Sequence, residues 1–241
     1  MRRVALLFVV VFLIGLSAVL GGVTHVSAED SDSEDSQVVV ERIPQSSVAN
    51  GLVERVQASW PWYLTRASGI VAAITCVILM LSGIGLLTGH TFSFLEPITA
   101  WASHRALGIA FGISVLLHVI ALYFDSFVPF NLIDLLVPFA STYKRIDIFG
   151  LPVGSLYVAL GVLSLYIIAA VVITSLLWIE KKPKLWKVTH LLSYMAMIFV
   201  FVHALYLGTD LSHGILRWIW IALAGVVLIA SFARLWRAKT V

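Results

Sequence analysis

Charged residues are scarce in this sequence: they make up 12% of its 241 residues, whereas 60% are hydrophobic. Soluble domains carry about 25% charged residues, so the composition excludes an ordinary water-soluble globular domain. Cysteine is nearly absent as well. The single Cys76 excludes an internal disulfide, a four-cysteine iron–sulfur cluster and a CxxCH attachment motif. The chain is therefore expected to be an integral membrane protein without covalent cross-links.

Long apolar segments are the main feature of the sequence. Each is close to the ~20 residues that a helix needs to cross a bilayer. The eight tryptophans lie near the proposed ends, as expected for an aromatic belt at the two membrane–water boundaries. The sequence thus predicts an all-α bundle of membrane-spanning helices. The five predicted spans are residues 62–88, 103–124, 154–179, 188–207 and 216–236.

The N-terminal part divides into two segments of different character. Residues 1–28 have a basic start, an apolar core and small residues at Val26-Ser27-Ala28, which predicts a signal peptide. An uncleaved first transmembrane helix is the alternative. Residues 29–59 begin with EDSDSEDS and are predicted to form an acidic extracytoplasmic linker. The membrane domain then occupies residues 60–241.

Positive charge predicts the orientation of the spans. Four lysines lie in EKKPKLWK, between the third and fourth spans, and Arg234, Arg237 and Lys239 end the chain. Lys and Arg collect on the cytoplasmic side of membrane proteins. We therefore expect a multi-pass protein of the cell membrane with a cytoplasmic C-terminus and, after signal cleavage, an external N-terminus. The partner indicated by composition is the lipid bilayer, and no nucleic acid is expected.

Four histidines fall inside two of the predicted spans: His104 and His118 in the second, His190 and His203 in the fourth. Separations of 14 and 13 residues correspond to about 21 and 20 Å along a helix. Because these two spans run in the same direction, the histidines form an inner and an outer pair. Neutral imidazole is a good ligand for haem iron, so the pattern suits two stacked haems. Buried histidines bonded to other helices, or a proton or metal pathway, are the alternatives.

The 13-residue spacing carries a geometric requirement. Fourteen residues at about 100° each return to nearly the same helix face, whereas thirteen leave an error of about 140°. The fourth span must therefore depart locally from α geometry if His190 and His203 serve one bundle interior. The nitrogen that does not bind metal should donate to a carbonyl or hydroxyl on a neighbouring helix. The nearest hydroxyls in sequence are those of Ser103, Ser114, Thr189 and Ser193.

These motifs resemble the ferric reductase-like transmembrane domain family. The resemblance rests on His104-Arg105 followed by His118, and on LWKVTHLLSYMAMIFVFVHALYLGTD with its two histidines. The family includes ferric reductases, the membrane half of NADPH oxidases and the haem subunit of a bacterial methionine sulfoxide reductase system. It implies six transmembrane helices and two b-type haems. If the N-terminal segment is kept it would supply the sixth helix, so we expect a bundle of five to six helices around two stacked haems. By this resemblance, the inner haem ligands are His104 and His190 and the outer ones His118 and His203.

Two arginines are added to the candidate site by the same resemblance. Arg66 resembles a family arginine near the outer haem, where a guanidinium can pair with a propionate. Arg105 directly follows the inner ligand His104, and we expect it to pair with a haem propionate on the cytoplasmic side. For both residues, reaching out to the lipid headgroups is the alternative reading.

The resemblance implies electron transfer outward across the membrane. The sequence has no GxGxxG-bearing nucleotide domain, so no flavin or NADPH site is expected in this chain. The expected donor is a separate cytoplasmic flavoprotein reductase or a membrane quinol, and the acceptor is ferric iron or a partner reductase. The chain would then be an oxidoreductase component. A haem-free transporter or scaffold, and a cytochrome b subunit of a quinol-linked dehydrogenase, remain the alternatives.

Overall fold

A computed structural model describes residues 45–143, 147–148, 151–152 and 154–237. The predicted signal peptide or first helix, and most of the predicted acidic linker, lie outside the described residues.

The described residues form seven α-helices and one minimal pair of strands. In chain order these are α1 (Gln45–Thr88), α2 (Pro97–Phe124), α3 (Leu132–Leu136), β1 (Asp147–Ile148), β2 (Leu151–Pro152), α4 (Gly154–Leu177), α5 (Pro183–Leu191), α6 (Ser193–Leu207) and α7 (Gly214–Arg237). The two strands pair antiparallel, with Ile148 opposite Leu151. Short 3₁₀ helices cover His90–Ser93 and Thr209–Leu211.

Within the described residues, five helical segments are long and apolar enough to cross a membrane, as predicted for this part of the chain. They are Ser59–Thr88, Pro97–Phe124, Gly154–Leu177, Pro183–Leu207 and Gly214–Arg234. The first belongs to α1, which begins at Gln45 and so includes the last part of the predicted linker. Spans rich in Val and Ile are helical because hydrocarbon offers no hydrogen bonds to the backbone, and a helix satisfies its backbone internally.

The helix boundaries follow from proline and glycine. Pro97 and Pro183 occupy the first turns of α2 and α5, where the missing N–H has no helical partner to lose. Gly89, directly after α1, has a φ of 79°, and Gly214 at the start of α7 has a φ of 77°. Such left-handed conformations cost glycine little, so the chain can turn sharply at both positions.

The bundle consists of two closely packed halves. The most extensive helix contacts are between α1 and α2, and between α4 and α6. Between the halves, Cys76, Phe111, Ile168 and Ala196 form one buried apolar cluster, one residue from each of these four helices. Cys76 is thus a small buried hydrophobe, as its apolar sequence context predicts. A second cluster, which includes Trp220 and Val227, attaches α7 to α1 and α6.

The fourth span is broken at Leu192, between its two histidines. Leu192 has a backbone N–H that bonds to the carbonyl of Thr189 at 3.0 Å, which is the three-residue spacing of a tightened turn. Helix α5 ends at Leu191 and α6 begins at Ser193. The predicted departure from α geometry is therefore present. Because of it, His190 and His203 do not belong to one continuous α-helix.

Candidate functional site

His104 and His190, here called the first pair, lie at the end of the bundle nearest the lysine-rich segment 181–187. Their ring centroids are 6.3 Å apart, and the ring planes are inclined by 56°. Ser82 Oγ on α1 lies 2.9 Å from His104 Nδ1 and donates its own proton to the carbonyl of Leu79. It therefore accepts from His104. Nδ1 of His190 is hydrogen-bonded to Ser175 Oγ on α4 at 3.3 Å.

His118 and His203, the second pair, lie toward the opposite end. Nδ1 of His118 donates to the carbonyl of Thr65 on α1, and Nδ1 of His203 donates to the carbonyl of Tyr157 on α4, both at 2.9 Å. A carbonyl only accepts, so Nδ1 carries the proton in both rings. In a neutral imidazole this leaves the Nε2 lone pair available for a metal.

Three of the four rings lie directly over a glycine of a neighbouring helix. A Cβ placed on Gly83 would lie 3.2 Å from Cε1 of His104, and one on Gly69 would lie 3.1 Å from the His118 ring. Gly161 is the tightest of the three, because a Cβ there would lie 2.5 Å from Cε1 of His203. These glycines let the helices approach closely enough for each ring to reach its acceptor.

A cavity of about 510 Å³ adjoins the first pair. Its walls are mainly apolar side chains of α1, α2, α4 and α6, and both histidine rings reach it. The charged side chains of Arg105 and Glu180 and the indole of Trp186 also line it. The Trp186 ring lies 5.3 Å from that of His190, and its Nε1 donates to Ser175 Oγ. The structure thus places the predicted site residue Arg105 at the cavity wall.

An apolar layer separates the two pairs. Phe111 lies on α2 seven residues from both His104 and His118, which is about two turns in either direction. On α6, Met197 lies at the corresponding depth, and both side chains are buried. The two pairs are therefore distinct sites at different depths, with water-excluding side chains between them.

Arg66, the other predicted site residue, has a partner within the chain. Its guanidinium forms a two-pronged ion pair with Asp210, with Nε 3.1 Å from Oδ2, and lies 4.2 Å above the centre of the Trp62 ring. This ion pair joins α1 to the 3₁₀ turn after α6. Arg66 directly follows Thr65, whose carbonyl accepts from His118. Pairing of Arg66 with a haem propionate stays a prediction.

The predicted kind of acceptor is confirmed, but the suggested hydroxyls are wrong. The acceptors are backbone carbonyls or hydroxyls on neighbouring helices. Of the suggested residues, Ser114 and Thr189 instead donate to carbonyls of their own helices. The real partners lie 15 to 53 residues away in sequence. The Ser82-Gly83 dipeptide is the sequence feature that could have indicated the partner of His104, because small residues in an apolar span mark close helix approach.

The fold and these sites define a multi-pass helical membrane protein with two pairs of metal-competent histidines at different depths. Within the described ranges, no group of three or more His, Cys, Asp or Glu side chains is arranged to hold a metal ion. The family model of the ferric reductase like transmembrane component matches residues 68–201, which is more than half of the chain, so the chain belongs to this family.

The matched range includes His104, His118 and His190, and His203 follows two residues after its end. Membership indicates a role in electron transfer across a membrane. No curated protein and no solved structure matches the chain.

The Arg66–Asp210 pair gives a first testable prediction. The side chains are only 19% and 23% exposed, so removing one partner leaves a poorly solvated charge. We expect R66Q and D210N each to lower the thermal unfolding midpoint in detergent. The double variant should lose less than the sum, with a coupling of about 0.5–3 kcal/mol.

The control combines D210N with R234Q, because Arg234 bonds to the Tyr194 hydroxyl at the other end of the bundle. That combination should be additive. Additive losses for R66Q with D210N would contradict the assigned pair.

Proposed function

We propose that this protein carries two b-type haems and conducts electrons across the membrane. His104 and His190 would hold the inner haem, and His118 and His203 the outer one. Electrons would enter from a cytoplasmic flavoprotein reductase or a quinol and leave to an extracytoplasmic acceptor such as ferric iron or a partner reductase. Family membership supports the general role, and the geometry of the histidine pairs supports the cofactor.

The spacing of the first pair is the observation that carries the proposal. A metal–imidazole bond is about 2.0 Å long and the ring centre lies about 1.1 Å beyond the nitrogen, so two rings on opposite sides of one metal have centres about 6.2 Å apart. The centroids of His104 and His190 are 6.3 Å apart. The spacing of the two rings therefore matches that of two imidazoles bound to one metal ion.

The small number of protein ligands favours iron in a macrocycle over a bare metal ion. Structural metal sites made of protein alone use about four ligands. Each pair offers two imidazoles, so the remaining ligands would come from a cofactor such as a porphyrin. The largely apolar cavity at the first pair suits a flat apolar ring, and Arg105 at its wall suits a carboxylate at the edge of that ring.

Each histidine has a second contact that would orient it toward the iron. When bound, the haems would supply one-electron iron couples, and two histidine ligands leave no open coordination position. Acceptors at Nδ1 fix the tautomer and ring orientation and make Nε2 a better ligand. At the second pair these acceptors are the carbonyls of Thr65 and Tyr157. Apolar side chains such as Phe111 keep water away from the path between the pairs.

One unpaired polar atom also favours a bound group at the second pair. The hydroxyl of Thr65 is buried and has no hydrogen-bond partner in the described part of the chain. Burying such a group without a partner is unfavourable. Thr65 also supplies the backbone carbonyl that accepts from His118 Nδ1. A polar group of a cofactor bound at His118 would therefore lie near the Thr65 hydroxyl.

The distribution of positive charge supports the proposed direction of transfer. Four lysines, Lys181, Lys182, Lys184 and Lys187, lie between α4 and α6 at the end of the first pair. Positive residues favour the cytoplasmic side. The same residues would attract an acidic donor protein by electrostatic steering. The first pair would thus receive electrons and the second pair would deliver them outside.

Single and combined histidine substitutions test the pairing. We expect H104A and H190A each to lower the haem content by about one per chain, and the double variant to lose no more, because both rings hold one iron. H104A combined with H203A should lose both haems. Haem per chain is measured in purified protein as the pyridine complex.

The control is H90A, since His90 is exposed and its ring hydrogen-bonds to the Thr88 hydroxyl, away from both histidine pairs. Loss of two haems from the H104A/H190A double variant would refute the pairing. Full haem content in every variant would refute ligation by these residues.

A glycine substitution tests the second pair separately. A methyl group on Gly161 would meet the His203 ring at 2.5 Å, so G161A should displace that ring and weaken haem retention at the second pair. Changes around metal-ligating histidines cost about 10–100-fold in affinity. G225A is the matched control, because a Cβ there meets nothing within 4 Å. Equal haem retention in G161A and G225A would contradict the proposal.

A further inference from the structure

The connection between α2 and α4 contains a loop, residues 130–143, that begins and ends at one level of the bundle. The rings of Phe130 and Tyr143 are 5.8 Å apart. The carbonyl of Tyr143 lies against Gly154, the first residue of α4, since a Cβ there would be 2.5 Å from that oxygen. Both ends of the loop are therefore near the end of α4 that lies on the side of the second pair.

The middle of the loop lies much deeper along α4. The hydroxyl of Tyr166 donates to the carbonyl of Leu136 at 2.6 Å. Tyr166 is twelve residues beyond Gly154, about 18 Å along the helix axis. The hydroxyl oxygen of a tyrosine lies about 6.5 Å from its Cα, or about 1.2 helical turns, and the hydrogen bond adds 2.6 Å. The carbonyl oxygen of Leu136 therefore lies about 9 Å or more inside the end of α4, near the level of Gly161.

The polar groups of this loop have partners that suit an apolar environment. Asn131 and Asp134 form a reciprocal capping box at the start of α3. The N–H of Val137 bonds to the carbonyl of Ile133 at 2.8 Å, and Leu136 has its Tyr166 partner. Asp134 is the only charged residue between 126 and 143. Non-helical backbone at membrane depth is tolerated where the protein buries it, and Leu135, in the middle of this segment, is buried against the bundle.

The side chains on the free face of the loop are large and apolar. Ile133 and Phe139 are each 63% exposed, and Leu136 is 44% exposed. Phe139 also has a φ of 65°, a left-handed conformation that is unfavourable for a bulky residue. The loop therefore keeps a costly conformation at a residue whose side chain points away from the protein. In water, this face would be an exposed apolar patch without a covering partner in the described chain.

We propose that residues 130–143 form a re-entrant loop inserted among the lipid acyl chains at the second-pair end of the bundle. Helix α3 carries the loop inward, with its capping box toward the headgroups and Leu136 at the depth of the hydrocarbon. The loop returns to the surface through Phe139 and Tyr143. The occupant of its apolar face is the bilayer, and this inference does not depend on the presence of haem.

Site-directed spin labelling of the whole chain in phosphatidylcholine vesicles tests the insertion. Cysteines are introduced at Leu132, Leu136 and Phe139 in a C76A background, and a nitroxide is attached to each. Collision with oxygen, which concentrates in lipid, is compared with collision with a water-soluble nickel chelate. I120C, on the exposed face of α2, is the lipid reference and S212C, in an exposed turn, is the water reference.

We expect labels at 136 and 139 to match the lipid reference, with low nickel and high oxygen accessibility, and the label at 136 to be deeper than that at 132. Nickel accessibility at 136 as high as at 212 would place the loop in water and overturn the proposal. Equal depth at 132 and 136 would indicate a segment lying flat, and low accessibility to both reagents would indicate burial in protein; either result overturns it. Helical circular dichroism of each variant confirms folding, and the three positions give independent readings.

Discussion

Imidazole nitrogens inside a membrane-spanning bundle need partners, and this requirement organises the whole structure. Ser82 and Thr65 bind the histidines of α2 to α1, while Ser175 and Tyr157 bind those of α5 and α6 to α4. These hydrogen bonds coincide with the two closely packed halves of the bundle. Each half contributes one histidine to each pair, so a metal between the rings would join the halves at two depths. Under the proposed function, cofactor binding would therefore also hold the two halves of the bundle together.

The histidines of the two pairs have different kinds of hydrogen-bond acceptor. The second pair uses backbone carbonyls, which fix Nδ1 as the protonated nitrogen, whereas the first pair uses serine hydroxyls. Around the second pair, the chain adds the Arg66–Asp210 ion pair and the re-entrant loop, whose tip lies near the level of Gly161. The first pair instead adjoins an open cavity bordered by charged residues. This contrast agrees with electrons entering at the first pair from a docked donor and leaving at the second.

Much of the fold could be predicted from sequence because the bilayer imposes helix length and apolar composition. The five spans follow from the length of the apolar segments. The grouping of the four histidines and the need for an irregularity between His190 and His203 follow from the spacing of the histidines. The acceptors Ser82 and Thr65 could not be predicted, because their contacts with α2 depend on how helices distant in sequence pack. Gly161 was missed for the same reason, since a glycine in an apolar span reveals its purpose only when a neighbouring ring lies above it.

Haem stoichiometry of the purified wild-type protein is the most direct test of the central claim that each histidine pair holds one iron. The protein is produced in cells supplied with a haem precursor, and its absorption spectrum and pyridine complex are measured against protein concentration. The account predicts a Soret band of low-spin bis-histidine haem and two b-type haems per chain. A folded, monodisperse protein without a Soret band would contradict it.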